Sequence, residues 1–181
     1  GDSKLLSCND AGCLRIWDLN TGDVLDKEAA GHVGGVRACR AFRLTDGRDF
    51  AVSCGADCEL KVWDLSGDKF TLICSTTEAH KKTINDCSVH SSDGETYLLT
   101  GSEDSTLKVW KLDGNQLKEQ PSPPKAHKGE VICCQLFQGP DGGLKALSGA
   151  KDNKLCVWSI PTGSDSADAD PSVDMELKGH S

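Results

Sequence analysis

The stretch HKKTINDCSVHSSDGETYLLTGSEDSTLKVWKL, residues 80–112, decides the fold. Short β-branched and apolar runs alternate in it with Gly/Asp turns, the pattern of hairpin strands. It predicts a first strand near Ile84–His90, a hairpin turn at Ser91–Glu95 and a second strand near Tyr97–Ser102. A turn at Glu103-Asp104-Ser105 then leads to a third strand, Leu107–Leu112, which carries Trp110. Asp113-Gly114-Asn115 turns the chain into a short outer strand near Gln116–Glu119.

The module recurs. The phrase LKVW at 107–110 stands beside LRIW at 14–17, LKVW at 60–63 and LCVW at 155–158, so Trp17, Trp63, Trp110 and Trp158 follow one another at 46, 47 and 48 residues. A hydroxyl lies ten residues before each Trp: Ser7, Ser53, Thr100 and Ser148. Asp57, Asp104 and Asp152 lie six before the last three, and His32, His80 and His127 lie 31, 30 and 31 before them. In the first module Ala11 holds the Asp slot and Asp10 sits one place early. A period in the forties signals stacked, near-identical units.

These phrases resemble the WD-repeat family, whose repeats build β-propellers. Trp-Asp closes two of them, Trp17-Asp18 and Trp63-Asp64, while Lys111 and Ser159 replace the Asp in the others. The family's Gly-His signal stands at Gly31-His32 and Gly179-His180, and weakened at Ala79-His80 and Ala126-His127. The implied fold is all-β: a partial propeller of about four four-stranded antiparallel blades in an open arc. Residues 1–30 form an incomplete first blade lacking its innermost strand. Blades follow at 31–78, 79–125 and 126–178, and residues 179–181 open another. The remainder of the propeller is expected on a longer parent chain. The last blade carries an acidic loop, 161–172, in which Ser164 and Ser166 are candidate phosphorylation positions.

The resemblance gives the recurring polar residues a structural role. Trp donates only, Ser or Thr donates and accepts, neutral His does one of each, and ionised Asp accepts. A buried relay is therefore expected in three copies: His32, Ser53, Asp57, Trp63; His80, Thr100, Asp104, Trp110; and His127, Ser148, Asp152, Trp158. Each link is worth about 1 kcal/mol. Asp104→Ala is expected to loosen its blade. The first blade, without its Asp, should be held more loosely unless Asp10 substitutes through a shifted turn. Ser, His and Asp together also suggest a hydrolase. A nucleophile is needed once, however, not once per module, and no Gly-x-Ser-x-Gly elbow is present. The protein is therefore read as no enzyme, with no cofactor.

Composition narrows the function further. The chain has 181 residues, 20 Lys and Arg against 28 Asp and Glu, and a net charge of −8, which argues against nucleic-acid binding. No run approaches the ~20 apolar residues of a membrane helix. The ten cysteines include no Cys-x-x-Cys pair. Cys39, Cys87 and Cys134 share one repeat position, and Cys8 and Cys54 share another. The cysteines are expected to be small buried hydrophobes in strands, in a reducing intracellular compartment, cytoplasm or nucleus.

The expected function is a protein- or peptide-binding scaffold that uses the loop face of the propeller. Candidate contacts are Arg37, Lys81, Lys82, Asn85, Glu103, Lys128, Glu130 and Lys151, which are mixed in sign and differ from blade to blade. The alternative is a regulatory propeller of a nucleotide-driven signalling ATPase, similar to the apoptotic protease-activating factor.

Overall fold

Strand-forming residues dominate because each module alternates a fully apolar run with a half-apolar one. The computed structural model describes residues 4–28, 31–67, 69–124, 127–163 and 169–178. They form fifteen strands in four antiparallel sheets. The first sheet has three strands, β1 (Lys4–Cys8), β2 (Leu14–Asp18) and β3 (Val24–Glu28). The second has β4 (Val36–Arg43), β5 (Asp49–Gly55), β6 (Leu60–Asp64) and β7 (Thr71–Thr76). The third has β8 (Ile84–Ser92), β9 (Glu95–Ser102), β10 (Leu107–Asp113) and β11 (Gln116–Gln120). The fourth has β12 (Val131–Gln138), β13 (Leu144–Ala150), β14 (Lys154–Ile160) and β15 (Ser172–Lys178). In every sheet, strands pair in chain order.

The sheets stack in sequence, and the stack is not closed. Central strands such as β9 are buried on both faces, which matches their continuous apolar sequence YLL at 97–99. Each of three tryptophans packs on the preceding sheet. Trp63 clusters with Leu14, Trp110 with Val52 and Val62, and Trp158 with Leu99 and Val109. These three indoles are 1–4% exposed, whereas Trp17 is only half-buried. Burying one indole removes roughly 200 Å² from water, about 5 kcal/mol. That exceeds any single hydrogen bond, so apolar burial holds the seams and polar contacts orient them.

Two irregularities repeat. The innermost strands bulge one residue from their start, between Val36 and Ala38, Ile84 and Asp86, and Val131 and Cys133. A bulge re-aims the unpaired residue, here Arg37, Asn85 and Ile132. The turn before each third strand holds a residue at positive φ: Cys58 (63°), Ser105 (70°), Asn153 (63°) and, in the first sheet, Gly12 (81°).

The strands run slightly longer than their sequence suggests; the β8–β9 hairpin closes at Asp93-Gly94 alone, with Ser91, Ser92 and Glu95 already paired. The cysteine expectation needs correction. None of the ten is joined in a disulfide, but Cys13 and Cys58 lie in turns and Cys133 in β12 is exposed. The bulge at Val131/Cys133 breaks the alternation that would have decided its face. Ser164, Ser166, Gly179, His180 and Ala126 lie outside the described residues.

Gly12 marks the tightest part of the first seam. A Cβ there would stand 2.4 Å from the His32 carbonyl oxygen and 2.7 Å from that of Gly34, both backbone atoms. Gly12→Val is therefore expected to destabilise the chain by about 2–4 kcal/mol, from left-handed strain and collision together. Urea unfolding measures this, and a loss under about 0.5 kcal/mol would contradict the packing described.

Candidate functional site: three buried relays and the loops they pin

The second, third and fourth sheets each bring one Trp, one hydroxyl, one His and one Asp together. Trp63 Nε1 donates to Ser53 Oγ at 2.9 Å, Ser53 Oγ meets His32 Nε2 at 2.7 Å, and His32 Nδ1 meets the Asp57 carboxylate at 2.9 and 3.0 Å. In the fourth sheet the Trp158–Ser148, Ser148–His127 and His127–Asp152 distances are 3.1, 2.8 and 3.1 Å. In the third, Trp110 donates to Thr100 at 3.0 Å and Thr100 meets His80 at 2.7 Å. Its His80–Asp104 contacts are longer, 3.2 and 3.4 Å, because Thr106 Oγ1 also approaches, 3.1 Å from His80 and 2.5 Å from Asp104.

Donor accounting fixes the protons. The carboxylate can only accept, so Nδ1 carries the imidazole hydrogen and donates it there. The bare Nε2 then accepts from the hydroxyl, whose oxygen accepts in turn from the indole. The polarity equals that of a hydrolytic triad. What differs is access: Ser53, Thr100 and Ser148 are 0% exposed, and a Trp N–H occupies the oxygen that would attack.

Burial, the largest influence, holds the His32 and His80 pKa values below the ordinary 6.5, although Asp57 and Asp104 pull upward. Burial also pushes the aspartates up, but hydrogen bonds outweigh it and leave all three lowered. Those bonds come chiefly from His32 for Asp57, from Thr106 and the Lys81 N–H for Asp104, and from the Lys128 N–H and His127 for Asp152.

Each carboxylate does a second job. It accepts the backbone N–H of the residue after the His, at Val33, Lys81 and Lys128, at 2.9–3.0 Å. It also accepts an N–H two residues on, from Glu59, Thr106 or Lys154. One side chain thus ties the loop leading into a sheet to the turn between its second and third strands. The residue after the His is left exposed in all three, and Val33 is 85% exposed.

The first sheet solves the problem differently. Trp17 Nε1 donates to Ser7 Oγ at 2.7 Å, but Asp10 does not replace the missing Asp. Its side chain is 84% exposed and pairs with Arg37 across the seam at 3.0 Å. Asn9 organises the turn instead, its side-chain oxygen accepting the N–H groups of Ala11 and Cys13. The turn backbone then bonds directly to the second sheet's incoming loop, His32 N–H to Gly12 O at 3.2 Å and Val36 N–H to Asn9 O at 3.0 Å.

The loop-face candidates differ in how free they are. Lys81, Lys82 and Lys128 are exposed. Arg37 is held by Asp10, and Lys151 pairs with Glu130. Glu103 is half-exposed, its N–H donating to Thr83 O. Asn85 donates across the seam to Val131 O at 2.8 Å. That bond belongs to a ladder not read from the sequence. Asp86 accepts the Cys134 N–H at 2.9 Å and Arg40 at 2.8 Å, and Ser88 accepts the Leu136 N–H at 2.9 Å. These residues are unique to the third module, Ala38 and Cys133 standing where Asp86 does, so a search for repeats passes over them. Among the described residues, no three His, Cys, Asp or Glu side chains are grouped to hold a metal ion.

Stacked four-stranded sheets, each bolted through a buried Trp–hydroxyl–His–Asp chain, define a propeller-type repeat protein. The family model described as "WD domain, G-beta repeat" matches residues 25–64, 72–111 and 119–159, more than half the chain, and the protein belongs to that WD-repeat family. Repeats of this family generally mediate protein–protein interaction and typically form scaffolds rather than catalysts. The chain is 36% identical over 90 residues to "Nuclear distribution protein PAC1-2" of Uncinocarpus reesii (strain UAMH 1704). That match covers 47% of this chain and 17% of the relative. The matched repeats are offset from the sheets: each starts in or at the end of one sheet's outer strand (β3, β7, β11) and runs through the next sheet's three inner strands.

Loss of Asp152 strands the His127 ring N–H and two backbone N–H groups, so Asp152→Ala should cost about 2–3 kcal/mol. Asp104→Ala should cost less, about 1–2 kcal/mol, because Thr106 Oγ1 remains beside His80. Equal losses in denaturant melts would remove the assignment to Thr106.

The depressed His and Asp values set the sign of the pH dependence. The unfolded chain takes up protons more readily than the folded one, so stability is complete above pH 6.5 and is lost as pH falls below it. The aspartates add to the loss below about pH 4. The thermal midpoint should fall as pH drops below 6.5, less steeply in His80→Gln; a midpoint that rises on acidification would contradict the neutral, buried imidazoles.

Proposed function

We propose that the chain is a non-catalytic scaffold that recognises a protein or peptide through the face carrying the pinned loops. The supporting observation is the second bond of each relay carboxylate. By fixing the N–H of Val33, Lys81 and Lys128, it holds the backbone beneath three exposed side chains, one valine and two lysines, in place before any partner arrives. A surface ordered in advance avoids the entropy cost of loop ordering on binding. Lys81, Lys82 and Lys128 give this part of the face positive charge on a chain of net charge −8, which suits an acidic partner segment. The half-exposed Glu103 and the Arg37–Asp10 and Lys151–Glu130 pairs provide the rim. Ten cysteines with no disulfide among them fit an intracellular setting, cytoplasm or nucleus. Further blades on a longer parent chain would complete the propeller. The described residues add nothing that favours the signalling-ATPase alternative.

The double variant Lys81→Glu, Lys128→Glu keeps both relay carboxylates and their backbone bonds. It should retain the wild-type melting midpoint and bind captured partners at least about tenfold more weakly. As contrast, Met175→Glu on the exposed outer strand β15 should bind as wild type does. Unchanged affinity in the double variant, measured by titration with purified partner, would exclude this face.

A further inference from the structure

We propose that Cys8 and Cys39 form a redox-active thiol pair across the seam between the first two sheets, which hydrogen peroxide, entering through the cavity beside them, converts to an intramolecular disulfide.

The pairing follows from register. Ser7 points to the Trp17 indole, so Cys8, the next residue of β1, points the other way, toward the second sheet. Cys39 lies opposite Ser53, the relay hydroxyl, and shares the face that looks back at the first sheet. Both thiols pack on the same seam cluster of Leu14, Val36, Ala51 and Trp63. The backbones are close here, since the residue after Cys8 accepts the Val36 N–H at 3.0 Å.

Access comes from below. A cavity of about 580 Å³ opens in this seam between Leu5, Leu6 and Ile16 on one side and Ala41, Phe42 and Arg43 on the other. Leu6 and Ala41, which line it, are the same-face neighbours of Cys8 and Cys39, two residues along their strands, so the cavity opens beside the thiols without being lined by them. Both cysteines are only partly buried. Interaction with Cys39 is the largest influence on Cys8 and lowers its pKa to about 7; burial and Asp10 oppose this, and Arg40 reinforces it. The Cys39 thiol is raised by the same interaction. One thiolate beside one protonated thiol is the arrangement an attacking and a resolving cysteine need.

The other seams supply a contrast within the molecule. Cys54 and Cys87 occupy the same two repeat positions one seam along, but both are 0% exposed and burial pushes the Cys54 thiol far up. At the third seam Gly101 stands where the first cysteine would, packed against Val131.

The chemistry balances with one peroxide. The Cys8 thiolate attacks a peroxide oxygen, the O–O bond breaks, and hydroxide leaves and takes a proton to become water. The Cys39 sulfur then attacks the Cys8 sulfenic sulfur and loses its proton, and the sulfenic oxygen departs as the second water. Two thiols are oxidised to one disulfide and one peroxide is reduced to two waters. An external dithiol reverses the step by exchange.

The test treats the reduced 181-residue chain with one equivalent of hydrogen peroxide, blocks free thiols with iodoacetamide and maps the digest by tandem mass spectrometry. The expected product joins the tryptic peptide of residues 5–15 to that of residues 38–40, with fragment ions placing the link at Cys8 rather than Cys13. Cys54 and Cys87 should become alkylated only after unfolding. Cys39→Ser should accumulate a Cys8 sulfenic acid that dimedone traps. In the untreated chain, Cys8 should alkylate at pH 7 about tenfold faster than an ordinary cysteine. The proposal is overturned if Cys8 remains a free thiol after peroxide, if Cys54–Cys87 links to the same extent, or if only intermolecular links through Cys133 form. The unmodified chain alone decides between these results, whatever the stability of the variant.

Discussion

A single buried hydroxyl, shared between an indole N–H and an imidazole nitrogen, is the contact on which each of the last three sheets depends. It is small enough to sit at 0% exposure in the middle of the second strand, and it both accepts and donates. Through it the third strand's Trp, the second strand and the incoming loop's His become one bonded unit. Apolar burial supplies most of the energy, but a hydrophobic contact has no direction. The relay supplies direction, setting how each indole lies on the sheet before it and where each loop emerges.

The three relays are not equivalent, and the differences lie where the sequence departs from the repeat. Thr106 gives the third sheet a second acceptor for His80, at the cost of longer His–Asp contacts. Asp86 and Ser88 of the third sheet's inner strand hold that of the fourth through its backbone N–H groups, which among the described residues none of the second module does for the third. The first sheet has no carboxylate in its turn and relies on Asn9, Gly12 and direct backbone bonds to the next loop. Repetition fixes the architecture, and the exceptions set the strength of each seam.

The all-β architecture was legible in the sequence because strand period, turn residues and the Trp spacing agreed at every level. The grouping of Trp, hydroxyl, His and Asp could be anticipated from the resemblance to the WD-repeat family, and donor accounting agrees with it. The first turn could not be. Asp10 and Asn9 both suit a turn, and only the structure shows Asn9 folded back onto the turn's N–H groups and Asp10 reaching across to Arg37. Partial burial of the thiols was also hidden, since Cys8 and Cys54 share a repeat position yet differ in exposure through the shape of their seams. Asn85 reads as a surface residue until the bulge at Ile84/Asp86 turns it toward Val131.

The offset between matched repeat and hydrogen-bonded sheet has a consequence for how such chains change length. A repeat that begins in one sheet's outer strand and ends at the next sheet's third strand is not itself a complete sheet. Inserting or deleting a whole repeat nevertheless leaves every remaining sheet with an outer strand to close it, because the junction always regenerates the same order of strands. Copy number can therefore drift by recombination without leaving an unpaired edge inside the array, while the covalent chain crosses every seam and keeps neighbours from exchanging.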